Sequence, residues 1–488
     1  MNFYTNVFYD GKNICYRGIS DSVQVTEAFS YSPCLYIPSD KDGTMKTLDG
    51  RNVEKMEFSN IHEVNDFKKT YDNVSGFDIH GDIGVEYQFI ASKHSGVVEY
   101  DFTMLKLMYI DIETTCEDGF PDIENPTEKI IAITCMVNQT KTVFCLGNFT
   151  TSDSDTTVHQ YDDESQLLYD FVNYFKAEQP DIITGWNIRL FDIPYIVNRL
   201  NEIGIDARKM SPWNLLKSKK IDKGGKEYLV YEIIGISIVD YYELYKTFTY
   251  VNQESYRLDH IAWVELGERK ISYNEYDSIS DFYKNNFQKF IEYNIKDVVL
   301  VERLEQKMKL MELAVALAYS AGVNFNDVFS QVRTWDVIIY NHLLNNNIAI
   351  PPKRISSKDS QYAGAYVKEP IVGMHNWVVS FDIASMYPSS IMQYNISPET
   401  FVEQLPTRLS AKDVINPCDS IQNLFDECSD ADVSIAANGA CFMKTKHGFL
   451  PELMDKMFKE RKMYKDMMIN SKKELEAIDV ELKRRGIL

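Results

Sequence analysis

The stretch LMYIDIETT, residues 107–115, sets an apolar run directly against two carboxylates. Side chains alternate faces along a strand, so Asp111 and Glu113 share a face with Leu107 and Tyr109, while Met108, Ile110 and Ile112 take the other. A run apolar on both faces predicts a central, buried strand. Two carboxylates at the end of such a strand repel each other, and loss of water makes that worse. A divalent cation removes both difficulties, and all-oxygen ligands suit Mg²⁺ or Mn²⁺. The alternative is a strand that emerges into solvent with two ordinary surface charges. This stretch alone leaves both open.

The surrounding pattern narrows the fold class to α/β, or α+β across several domains. Residues 1–105 read as short strands, with Asp10-Gly11 between apolar runs as a hairpin signal. From 106 to 310 strand and helix alternate in the manner of βαβ units. KIIAITCMV and KTVFCLG read as strands, and FQKFIEYNIKDVVLVERLEQKMKLMELAVALAYSAG as a proline-free helical run ending at a glycine. Near 353 a new segment begins, in which VVSFD reads as a strand leading into a helix. Past Pro451 a charged helix of about 35 residues, roughly 50 Å long, must project or pair with another. The 488 residues suggest about three domains of ~150 each.

Three further positions join the first two. Asp192 follows GWN at the start of a helix, two residues before Pro194, where an N-cap role would also explain it. Tyr293 and Asp297 stand at i and i+4 and share a helix face, as an amphipathic surface pair would. Within one α/β region, however, Asp111, Glu113, Asp192 and Asp297 can hold two metal ions about 4 Å apart, the arrangement that cuts phosphodiesters. One ion makes a hydroxide nucleophile, the other stabilises the leaving 3′ oxygen, and Tyr293 orients the attacking water. These segments resemble the Exo I, Exo II and Exo III motifs of the 3′–5′ proofreading exonucleases, which have a DnaQ-type, ribonuclease H-like fold.

The second sharp signal is VVSFDIASMYPSSIM. It resembles motif A of the family B DNA polymerases, and the closest pattern is that of the T-even bacteriophage group. The resemblance implies that Asp382 binds both catalytic metals, that the Ile383 carbonyl assists, and that Tyr387 packs under the incoming sugar and excludes a 2′-hydroxyl. YAGAYV matches the small motif between exonuclease and palm. Arg461, Lys465 and Lys472 share one face of the last helix and could hold the triphosphate of an incoming nucleotide, although a solvated charged helix would look the same. The resemblance divides the chain into an N-terminal domain at 1–105 and 311–352, an exonuclease at 106–310, a partial palm at 353–450 and a first fingers helix at 451–488.

Two expected parts are missing. No Lys-x₃-Asn-Ser-x-Tyr-Gly motif and no Tyr-Gly-Asp-Thr-Asp strand occurs, and SDSDTTV at 152–158 lies in a polar turn upstream of Asp192. The expectation is therefore the N-terminal portion of a split or truncated replicative polymerase, completed by a second polypeptide that carries the remaining fingers, palm and thumb. Its other expected partners are single-stranded and primer-template DNA, a deoxynucleoside triphosphate, and a sliding clamp reached through that second polypeptide. Each active site would use two Mg²⁺ or Mn²⁺ ions. A stand-alone 3′–5′ exonuclease with a vestigial palm, or a non-catalytic DNA-binding scaffold, are the alternatives.

Composition sets limits on these readings. A net charge of −21 excludes a generally basic nucleic-acid coat but not a local cationic groove. No apolar run approaches the ~20 residues of a membrane span, and the N-terminus lacks the pattern of a signal peptide. Eight scattered cysteines without a CxxC suggest reduced thiols in a cytoplasm, a host's if the protein is viral.

Overall fold

The structure is a computed structural model that describes residues 1–71, 74–117, 119, 121–353, 368–406 and 408–486. YAGAYV, at 362–367, lies outside the described residues. The chain divides into two units, Met1–Thr47 with Arg51–Lys353, and Leu48–Gly50 with Arg354–Leu488.

The first unit opens with the antiparallel strands Asn2–Tyr9, Asn13–Ser20 and Val23–Ser30. Asp10 and Gly11 form the expected hairpin turn, where Asp10 Oδ1 accepts the Lys12 and Asn13 N–H groups at 2.8 and 2.6 Å. These strands share a core with helices from the far end of the unit. Phe3, Tyr4 and Val7 are buried with Met311, Val315 and Phe325. Tyr4 donates to the Val323 carbonyl at 2.8 Å, and Tyr319 donates to the Tyr4 carbonyl at 2.6 Å.

The site is carried by a mixed six-stranded sheet. Its strand order is Ser237–Ile238, Ile182–Thr184, Leu107–Thr114, Ile130–Val137, Thr140–Leu146, Thr156–Tyr161. Leu107–Thr114 is central, parallel to Ile182–Thr184 and antiparallel to Ile130–Val137. SDSDTTV runs into the edge strand of this sheet. On one face Met108, Ile110 and Ile112 pack with Leu168, Phe171 and Ile196. The other face is covered by the helix Phe287–Met308. Burial there differs from the expected symmetry, because Leu107, Tyr109, Asp111 and Glu113 are only half-buried. The helix does not seal this face, and Asp111 lines a cavity of about 1110 Å³.

The long helical run is two helices, Phe287–Met308 and Leu310–Ala321. Lys309 between them is left-handed at φ 55°. Glu305 stabilises the break, accepting the Met311 N–H at 2.9 Å and the Glu312 N–H at 3.3 Å. Those N–H groups begin a new helix and would otherwise lack partners.

In the second unit, Ala440–Met443 lies between Phe401–Gln404 and Val433–Ile435 in an antiparallel sheet. Buried Asn395 ends the helix Met386–Tyr394 and latches the unit, donating to the Met443 and Lys446 carbonyls at 2.6 and 2.7 Å. The last helix, Phe449–Arg484, runs 36 residues. From Lys459 to Val480 it is exposed all round, as a projecting helix must be. The expected strand through VVSFD is absent, and residues 378–383 pair with no strand among the described residues. An extended run becomes a strand only where a neighbouring edge takes its N–H and C=O groups, and no described strand offers one to this segment.

Candidate active site

Asp111 and Glu113 lie on one face of the central strand, as the strand period requires, and Asp111 lines the cavity. The register shifts between Glu113 and Thr114, where Ile131 becomes an extra residue on the neighbouring strand. Such a bulge re-aims the side chains beside it. Tyr293 and Asp297 descend from the helix above and are buried at 7% and 3% exposure, so they are not a surface pair. Asp111, Glu113 and Asp297 each bring a carboxylate oxygen within 4.8 Å of the others. Among the described residues no other cluster of three or more possible ligands is found.

Asp192 begins its helix but does not cap it. Its Oδ1 instead accepts the Ile112 N–H at 3.1 Å, which fixes the carboxylate against the central strand. The loop before it approaches closely, since a Cβ on Gly185 would stand 2.4 Å from the Ile110 carbonyl oxygen. Asp240 holds that loop, accepting the Asn187 and Arg189 N–H groups at 3.0 Å each.

Crowding shows in the acidities. Burial, then the charges of Asp192, Asp297 and Glu113, push Asp111 well above the carboxylate range. Burial and Asp297 raise Glu113 to about 8. Burial raises Asp192 to about 7 against the opposing Ile112 hydrogen bond. Asp297 rises to about 6 through burial, restrained by Lys270. The Lys270 Nζ lies 2.5 Å from Asp297 Oδ2 and donates to the Tyr293 hydroxyl at 2.7 Å. Burial disfavours its charge, but Asp297, Tyr293 and Asp111 outweigh that and raise its pKa.

The donor set fits a hard divalent ion. All close ligands are carboxylate oxygens, and Asp297 Oδ1 is buried without a hydrogen-bond partner. A buried acceptor left unpaired costs about 1–3 kcal/mol unless something occupies it. Asp111, Glu113, Asp192 and Asp297 are the residues that could hold such ions.

Lys270, Asn294 and Asp240 were not singled out in the sequence. Lys270 lies in a segment with no helix or strand period. Asp240 did leave a signal, as an aspartate between an apolar run and the helix Tyr241–Phe248, which it caps. Asn294 lies between Tyr293 and Asp297, and only its contacts distinguish it.

The second set of residues is arranged differently. Asp382, Ile383 and Tyr387 are exposed, the last two at 67% and 72%. Arg461 and Lys465 lie on the exposed part of the last helix.

A family model described as DNA polymerase family B, exonuclease domain, matches residues 53–261, and one described as DNA polymerase family B matches residues 326–483. The chain is 31% identical to the DNA-directed DNA polymerase of Escherichia phage RB69, over 98% of this chain and 55% of that protein. It is 30% identical to that of Enterobacteria phage T4 over the same shares. It is 24% identical to the DNA polymerase delta catalytic subunit of Schizosaccharomyces pombe, over 74% of this chain and 34% of that protein. The chain thus spans about half the length of the phage relatives it matches. Both family models are matched in chain order and the phage polymerases align along nearly all of it, so the chain belongs to the family B DNA polymerases.

Proposed function

We propose that residues 106–310 form a two-metal 3′–5′ exonuclease acting on single-stranded DNA ends, within a replicative DNA polymerase. The observation that carries this is the meeting of Asp111, Glu113 and Asp297 beside an unpaired buried Asp297 oxygen. A ribonuclease H-like fold is supported by the central strand, its antiparallel neighbour and the parallel strands on its other side. A single domain made of 1–105 and 311–352 is supported by their shared core.

Mg²⁺ or Mn²⁺ held by the four carboxylates would supply a hydroxide at neutral pH and take up charge on the leaving 3′ oxygen. The protein's own groups do the rest. Tyr293 orients the attacking water through its hydroxyl. Lys270 fixes both that hydroxyl and Asp297 Oδ2, leaving Oδ1 for metal. Trp186, Tyr242 and Tyr256 line the cavity and suit stacking on unpaired bases, and Arg257 offers a cation to the backbone.

In the second unit we assign to Asp382 and the Ile383 carbonyl one side of a nucleotidyl-transfer site, to Tyr387 the sugar contact, and to Arg461 and Lys465 the triphosphate. Transfer needs carboxylates on both sides of the metals. The others would come from a segment outside these 488 residues, through which a sliding clamp would also be met. The substrates would be primer-template DNA and deoxynucleoside triphosphates. Eight free thiols suit a reducing cytoplasm, and no described helix is long and apolar enough to cross a membrane. A second reading, an exonuclease whose other module does not synthesise, is favoured by the exposure of the segment around Asp382.

The test is degradation of 5′-labelled single-stranded DNA by the metal-stripped chain. Stepwise shortening from the 3′ end on addition of Mg²⁺ is expected. No shortening, or loss of the label from the 5′ end, contradicts the proposal.

A further inference from the structure

We propose that Asn294 is a positioning residue that fixes which oxygen of Asp111 is offered to a bound metal ion, with Thr134 setting the direction of its amide. This rests on the exonuclease reading. Asn294 is fully buried on the helix Phe287–Met308, between Tyr293 and Asp297. Its Nδ2 donates to Asp111 Oδ2 at 2.7 Å. Its Oδ1 accepts from the hydroxyl of Thr134, which is also fully buried. Thr134 stands directly opposite Asp111 in the strand pairing. Strand, neighbouring strand and helix thus close one polar chain around a single carboxylate.

Chemistry gives that chain one direction. The structure turns the amide NH₂ towards Asp111 Oδ2, which is the direction the ionised, metal-binding form of that carboxylate requires, because it only accepts. Its carbonyl then faces Thr134, whose hydroxyl donates. With Oδ2 held by an N–H, the carboxylate cannot rotate freely about its Cβ–Cγ bond. The remaining lone pairs are aimed before an ion arrives, so less freedom is lost on binding. A purely structural role would need only that the buried amide be satisfied, and two apolar side chains of similar shape would serve as well.

The experiment uses the full 488-residue chain, stripped of metal and titrated with Mn²⁺ by calorimetry. Thermal midpoints without metal, and kcat and KM on single-stranded DNA, are measured beside it. Asn294→Leu should weaken Mn²⁺ binding ~10–100-fold and lower kcat at limiting metal, with KM for DNA little changed. Thr134→Val with Asn294→Leu should regain metal-free thermal stability but not Mn²⁺ affinity. Thr134→Val alone frees the amide to turn and should give a smaller loss of affinity, which keeps the test open should both Leu variants fail to fold. Wild-type Mn²⁺ affinity in the double variant, in Asn294→Leu, or in Thr134→Val when only that variant folds, would overturn the proposal. Asp111→Ala separates the two claims. If it abolishes Mn²⁺ binding while Asn294→Leu does not weaken it, the exonuclease reading survives and this inference falls. If Asp111→Ala changes nothing, both fall.

Discussion

MYIDIE in the first unit and VSFDIA in the second each end an apolar run in an aspartate, yet they fold differently. The first is a strand paired on both edges, and Asp111 meets Glu113 and Asp297 beneath a helix. The second pairs with no strand among the described residues, and Val379 and Phe381 are 71% and 92% exposed. The difference teaches that an aspartate of this kind is not a site by itself. Its neighbours make it a candidate, and in the first unit they come from its own strand and from two distant segments, around 192 and 297.

The largest contrast is all-or-none. In primer extension the 488-residue chain alone should synthesise nothing. A mixture with a polypeptide carrying the other palm carboxylates, second fingers helix and thumb should extend the primer. Synthesis by this chain alone would break the comparison.

Within the first unit, Lys270→Met should lower kcat for 3′ degradation by ~10–100-fold, the usual effect of removing a group that orients metal ligands. It leaves Asp297 without its cation and Tyr293 without its donor. A rate unchanged from wild type would show that Lys270 only balances charge.

The acidities give a subtler test. Glu113, Asp192 and Asp297, at about 8, 7 and 6, hold protons that an unfolded carboxylate has lost above about pH 4. The folded state therefore binds more protons, and stability falls as pH rises. This contribution is complete below the unfolded values and is lost progressively as pH climbs from about 4 through the folded values of about 6 to 8. The metal-free thermal midpoint should fall across that window. Saturating Mg²⁺ should raise it more at the alkaline end, because the ion replaces the protons. A metal-free midpoint that rises from pH 6 to 8 would contradict the clustering of the acids.

The smallest effect expected concerns the DNA end. If Trp186, Tyr242 and Tyr256 receive unpaired bases, a fully paired duplex end should be degraded several-fold more slowly than a single strand. Equal rates would count against proofreading.

The carboxylates were legible because regular periods display them. Alternation put Asp111 and Glu113 on one face, and i, i+4 spacing joined Tyr293 to Asp297. The two-state choice at Asp192, cap or site, needed the structure, because only the Ile112 N–H shows where its oxygen goes. Lys270 was hidden because no period runs through its segment. The break at Lys309 was hidden because lysine is a good helix former, and only the carboxylate of Glu305 makes the interruption favourable. VVSFD misled for the opposite reason. Its composition favours a strand, but a strand is a property of two segments, and its partner is not among those described.

The central claim is that catalytic geometry is complete in the first unit and independent of Asp382. The most direct test compares Mg²⁺-dependent 3′ degradation of single-stranded DNA by wild type, by Asp111→Ala with Glu113→Ala, and by Asp382→Ala. Loss of several kcal/mol of transition-state stabilisation should cost the double variant orders of magnitude in rate. Asp382→Ala should match wild type. Undiminished degradation by the double variant, or its loss in Asp382→Ala, would contradict the account.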